Sequence, residues 1–202
     1  MGTVAQEMVQ TAMRALVDRN GALVSKVEDL EERLDRFQVE IDDDVVRLMA
    51  TYGPVAFDLR LVMMVTRINS DLERIGDQAV NMCEYVNLLL SESELKKLID
   101  LPRMADTAVG MVREALAAFD KGKSADARKV IQADDQVDAL NDQIFRELLT
   151  YMITDSKNIT RSVSLILLAR ALERIADHAT NIAEEVVYLV KGEDIRHQEI
   201  EE

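Results

Sequence analysis

Four pairs of carboxylates stand out by type and spacing: Glu31 with Asp35, Glu73 with Asp77, Asp134 with Asp138, and Glu173 with Asp177. Members of a pair are four residues apart, which on a helix puts them on one face, a turn apart. Two of the pairs sit in nearly the same phrase, LERIGDQAVN at 72–81 and LERIADHATN at 172–181. Carboxylates gathered at one place repel each other unless they protonate or bind cations. Oxygen-only donors favour hard ions such as Mg, Ca, Mn or Fe. A plainer reading stands beside this one: a solvated acidic face with charges at i,i+4 spacing.

Other chemistry finds little footing. A ferritin-like carboxylate enzyme needs Glu-x-x-His on two helices with further glutamates in the core. Here His178 follows Glu173 by five residues, and its counterpart in the earlier copy is Gln78. His197 has no counterpart, so neither histidine is assigned as a ligand. Cys83 is the single cysteine and reads as a packing residue. There is no Gly-rich phosphate loop and no nucleophile paired with a base. Arg74 and Arg174 recur with the acid pairs, as salt-bridge partners or as docking points for another protein.

The elements that must position these groups are helical. Leu30, Leu34, Phe37 and Ile41 recur at helical spacing, as do Leu72, Ile75, Ala79, Met82 and Val86. No stretch alternates with period two. Seven Gly and two Pro leave few breaks, and those breaks predict helices over about 2–19, 22–51, 54–90, 102–120, 124–153 and 157–191. Pro54 and Pro102 fall where helices should begin.

The chain repeats itself. At an offset of 103, Met1, Ala5, Met8, Val9, Ala12 and Ala15 fall on Met104, Ala108, Met111, Val112, Ala115 and Ala118. Asp35 falls on Asp138 and Ile41 on Ile144; from residue 72 the offset is 100. Nine of the sixteen positions in 71–86 recur in 171–186. The expected fold is therefore all-α: two tandem three-helix bundles, six antiparallel helices in all, with repeats at 1–92 and 100–197. Counted from the hairpin turns at Gly53 and Asp155, the acid pairs of neighbouring helices come level within roughly 3 Å at about 1.5 Å rise per residue. On the helical wheel Glu73 and Asp77 point away from their apolar stripe, which places the acids in a surface groove.

Bulk composition narrows the partners. With 48% hydrophobic residues the chain can build a core. A net charge of −14 disfavours nucleic acid and anionic membrane surfaces. The opening stretch lacks a signal peptide's character, and the most apolar run, 162–169, is too short to span a bilayer. One cysteine suits a reducing compartment. The expectation is a cytoplasmic protein with no direct membrane insertion.

Four stretches taken together resemble the PhoU family: GPVAFDLRLVMMV at 53–65, LERIGDQAVNM at 72–82, LLTYMITDSKNITRS at 148–162 and LERIADHATNIAEEVVYLVKGEDIRH at 172–197. The resemblance covers essentially the whole chain. It implies two PhoU-like three-helix domains and a cytoplasmic negative regulator of phosphate uptake and the phosphate-starvation response, not an enzyme. The implied partners are the phosphate ABC transporter's ATPase subunit and the phosphate sensor histidine kinase, with a homodimer expected. It also implies divalent or multinuclear metal ions (Fe, Mn, Mg, Ca or Zn) at Glu31/Asp35, Glu73/Asp77, Asp134/Asp138 and Glu173/Asp177. The alternative is a metal-handling or di-iron-like carboxylate enzyme. Two departures stand out: the first helix begins later than in most relatives, and Ala176 replaces the usual Gly, which should alter packing more than ligation.

Overall fold

The computed structural model describes residues 1–195; the expected end of the second repeat at 197, with His197, lies outside them. Six α-helices follow in order: α1 Gly2–Val17, α2 Ala22–Tyr52, α3 Phe57–Leu90, α4 Asp100–Lys121, α5 Ser124–Thr154 and α6 Ile159–Lys191. At about 1.5 Å per residue, α3 with its 34 residues runs to about 50 Å. No strand occurs among the described residues, and no described helix is long and apolar enough to cross a membrane.

Local chemistry sets the ends. Gly53 and Gly122 close α2 and α4 at φ of 53° and 60°, a left-handed backbone that costs glycine little. The helix expected from residue 54 starts instead at Phe57, because Ala56 takes φ 50° and leaves Pro54 in the turn. Pro102 lies in the first turn of α4, where its missing N–H has no intrahelical partner to lose. The helix expected from 157 is preceded by a short 3₁₀ turn, Ser156–Asn158; there the Asp155 carboxylate accepts from the Lys157 backbone N–H at 2.9 Å.

Each repeat packs as a three-helix bundle, α1–α2–α3 and α4–α5–α6. The bundles join side by side through α1 against α4 and α3 against α6, so α2 and α5 become the outer helices. One apolar core runs through both repeats, from Met8 and Ile75 to Met104, Leu172 and Ile175. Alanines at 5, 12, 15, 108, 115 and 118 are buried and let α1 and α4 sit close to their neighbours.

The repeats differ where packing is tightest. A Cβ on Gly76 would collide with Leu34 Cδ2, so α3 approaches α2 through that glycine. In the second repeat the same place holds Ala176, and the counterpart of Leu34 is the smaller Val137; both are fully buried. One methyl has moved from one helix to the other, as close-packed interiors require.

Candidate functional site

Each repeat brings its two acid pairs together. In the first, Glu31 and Asp35 on α2 face Glu73 and Asp77 on α3. Burial raises the Glu31 carboxyl above its usual range, and the charges of Asp35 and, from the facing helix, Asp77 raise it further. Glu73 is raised by burial, then by Asp77 and by Asp35 across the groove, against the lowering effect of Arg74 and His178.

The second repeat repeats the pattern with more force. Asp134 on α5 is pushed up to about 6, first by burial and then by Asp138, Asp177, Asp135 and Glu173. Glu173 is raised by burial, Asp138 and Asp177, while a hydrogen bond from Asn141 pulls it down. Asp177 is raised by burial and Asp138, with His178 and Arg174 opposing. Desolvation and like charge act together in both repeats, the two causes that make a carboxyl hold its proton.

The helical wheel misjudged one orientation. Glu73 and Asp77 do not point away from the packed side: their side chains keep 24% and 41% of their surface. The reason is that α3 touches α1, α2 and α6, so it has packed neighbours on more than one side. Arg74 spans the pair, 3.6 Å from Glu73 and 3.4 Å from Asp77, as an exposed partner.

All eight donors are carboxylates, a set that suits hard cations. As the side chains stand, no three of His, Cys, Asp and Glu close around a single point among the described residues. In each repeat the pairs act on one another's charge across the facing helices but do not close into a finished cage.

A polar seam between the repeats escaped the sequence reading. His178 Nδ1 lies 2.9 Å from Asp71 Oδ1, and Asn181 donates to the same oxygen at 3.3 Å. Arg67 donates to the buried carboxylate of Glu185 at 2.7 Å. A signal for this seam was present. Four of its five members sit where the copies disagree: Asp71 opposite Ala171, Gln78 opposite His178, Arg67 opposite Leu167, Tyr85 opposite Glu185; the fifth, Asn181, matches Asn81. Cys83 is buried, and its thiol is pushed up to about 12 by desolvation and then by Glu28 and Glu31.

The comparisons with known proteins fall on the same two units. The family model for the PhoU domain matches residues 1–86 and again 101–186. The PhoU homologue of Aquifex aeolicus is 40% identical over 202 residues, covering 100% of this chain and 91% of that protein. The homologue of Pseudomonas putida is 37% identical over 98% of this chain and 77% of its own length. PhoU of Escherichia coli strain K12 is 32% identical over 98% of this chain and 82% of its own length. All three are named phosphate-specific transport system accessory proteins. The crystal structure of PhoU from Pseudomonas aeruginosa superposes with a TM-score of 0.91 at 36% identity, covering 96% of this chain and 93% of that one. The phosphate transport system regulatory protein PhoU from Streptococcus pneumoniae follows at 0.86 and 27%, covering 96% and 91%. With both repeats matched and the six-helix fold shared, this chain belongs to the PhoU family.

Proposed function

We propose that the protein is a regulatory accessory of phosphate transport, restraining uptake and the phosphate-starvation response through contact with other proteins. The observation that carries this reading is the match of both repeats to the PhoU domain, together with the accessory-protein names of relatives that span nearly the whole chain. The proposed partners are the ATPase subunit of the phosphate ABC transporter and the phosphate sensor histidine kinase, met in the cytoplasm, with the protein itself a homodimer. The repeats act as domains over 1–92 and 100–197. The role is regulatory and not catalytic, in keeping with the names of those relatives.

Cations complete the proposal. Glu31, Asp35, Glu73 and Asp77 would hold metal in the first repeat, and Asp134, Asp138, Glu173 and Asp177 in the second. What supports this is the mutual repulsion of the pairs across the facing helices and the burial that adds to it, a penalty each repeat carries while its charges stand uncompensated. A bound cation offsets that repulsion and draws the facing helices of each bundle together.

The deciding experiment is a pull-down from cells grown at high phosphate. Enrichment of the transporter ATPase or the sensor kinase is the expected outcome. Absence of both under conditions that recover a control partner would remove the regulatory reading. The metal component is tested separately, by metal content of protein purified without chelators beside a variant with Glu73, Asp77, Glu173 and Asp177 changed to Ala. Several ions per chain, lost in the variant, are expected.

A further inference from the structure

The groove that holds the second repeat's acid pairs changes character toward the α5–α6 turn. Asn141 hydrogen-bonds Glu173 and so marks one level of this groove. From that level Phe145, Leu149 and Ile153 follow along α5 at steps of four, and Ile166, Val163 and Ile159 run back along α6 at steps of four and three. Ile166 packs on the core and forms the floor. The other five each keep between 36% and 86% of their surface. Five large apolar side chains in one strip exceed the scattered singles that are normal on a protein surface.

The chain's own segments leave this strip open. Residues 95–98 cover Ile144, Leu148 and Leu165 on the adjoining face. The far end of α6 is held elsewhere, with Gly192 against Arg60 and Ile195 in the core. The residues after Lys191 number eleven and reach at most about 40 Å fully extended. That is short of the roughly 42 Å of helix between Lys191 and Val163, so Val163, Ile159 and Ile153 lie beyond them. Arg67 pairs with Glu185 and Asp71 with His178, so α3 and α6 run antiparallel and the two hairpin turns lie at opposite ends of the molecule.

We propose that a second copy of this chain covers the strip, with the two α5–α6 hairpins packed face to face and antiparallel. The occupant follows from charge. The chain carries −14, which sets most of its surface against a second copy. Over residues 142–170, however, Arg146, Lys157, Arg161 and Arg170 outnumber Asp142, Glu147 and Asp155. The acidic row Glu40, Asp42, Asp43 and Asp44 stands toward the other end, on the order of 30 Å away, where salt screens it over about 8 Å. Charge also selects the direction. A two-fold axis along the helices would set each copy's acid pairs level with those of the other. An axis across them avoids this. Leu149 lies eight residues from both Asn141 and Lys157. Centred on Leu149, the antiparallel pairing therefore brings the exposed Lys157 of each copy level with Asn141 of the other, beside Glu173. One self-complementary strip then closes both hairpins into a four-helix contact. This inference rests on the homodimer proposed above and names its interface.

The test is sedimentation of the intact protein across a concentration series in metal-free buffer, beside Leu149→Glu, Val163→Glu, Lys157→Glu and the remote control Val39→Glu. A dimer is expected, with its dissociation constant raised at least tenfold by Leu149→Glu and by Val163→Glu and unchanged by Val39→Glu. Lys157→Glu should weaken it severalfold at low salt and less at high salt. These positions are exposed, and circular dichroism melts check that each variant stays folded. Direction is read by disulfide trapping with oxidised glutathione: Lys157→Cys should cross-link to Asn141→Cys when the two proteins are mixed, and not to itself. A dimer indifferent to Leu149→Glu and Val163→Glu overturns this interface and leaves the homodimer standing. A monomer at every concentration overturns both, while the regulatory reading still stands or falls on the pull-down. Cross-linking of Lys157→Cys to itself alone overturns the antiparallel arrangement. Loss of the transporter ATPase or sensor kinase from the pull-down in Leu149→Glu, with the dimer intact, would assign the strip to that partner and overturn the proposal.

Discussion

His178 Nδ1 and Asp71 Oδ1 stand 2.9 Å apart across the boundary between the repeats, on α6 and α3. Both side chains are largely buried, at 22% and 16% exposure. A carboxylate only accepts, so the shared hydrogen sits on Nδ1. With the Asn181 donation to the same Asp71 oxygen and the Arg67–Glu185 pair, this contact ties the two bundles together along a polar seam. A double-mutant cycle with Asp71→Ala and His178→Ala is expected to give a coupling of about 1 kcal/mol. A coupling near zero in urea unfolding would reduce the contact to coincidence.

Asp134 makes stability depend on pH in an unusual direction. Its folded value of about 6 lies above the ordinary 3.8. The folded state therefore binds the proton more tightly than the unfolded state between those values. That stabilisation is complete below pH 3.8 and is lost as the pH rises through 6. Asp134→Asn removes the term. In metal-free buffer the variant should gain about 1 kcal/mol at pH 7.5, after allowing for solvent screening of a half-exposed group, and nothing at pH 3.5. Thermal melts of both proteins across that range check it.

Cations and protons compete for the same carboxylates. Adding a millimolar hard divalent cation should raise the melting temperature at pH 7.5 and much less at pH 5, where raised carboxyls such as Asp134 hold protons. An equal rise at both pH values, or none at either, contradicts ligation by these pairs.

Gly76→Ala should destabilise the first repeat by about 1–3 kcal/mol, since its methyl enters space held by Leu34. Adding Leu34→Val recreates the Val137–Ala176 arrangement of the second repeat and should recover most of the loss. Chemical denaturation of the single and double variants measures both effects.

The Cys83 thiol should resist alkylation in the native protein at pH 8 and react fully in denaturant. Its value near 12 leaves almost no thiolate, and the side chain is buried. Rapid labelling of folded protein would mean that the α3 environment opens readily.

Much of the fold was legible in residues alone. Helix existence and the duplication followed from periodicity and offset, because a helix has one rise and one twist per residue. The start of α3 was not, because it depends on Ala56 taking a positive φ between the turn and the helix. The orientation of Glu73 and Asp77 was not either. A wheel with one apolar stripe assumes one packed side, and α3 has several neighbours.

What the sequence by itself determined is the kind and spacing of the parts: six helices, two copies, four acid pairs, and the phrases that resemble PhoU. Which copy meets which along what seam was decided only in three dimensions. Asp71 and His178 are 107 residues apart, and no local period relates them. Residues 95–98 likewise lie against Ile144, Leu148 and Leu165 because of the path the chain takes between the bundles, a long-range fact that local propensity does not encode.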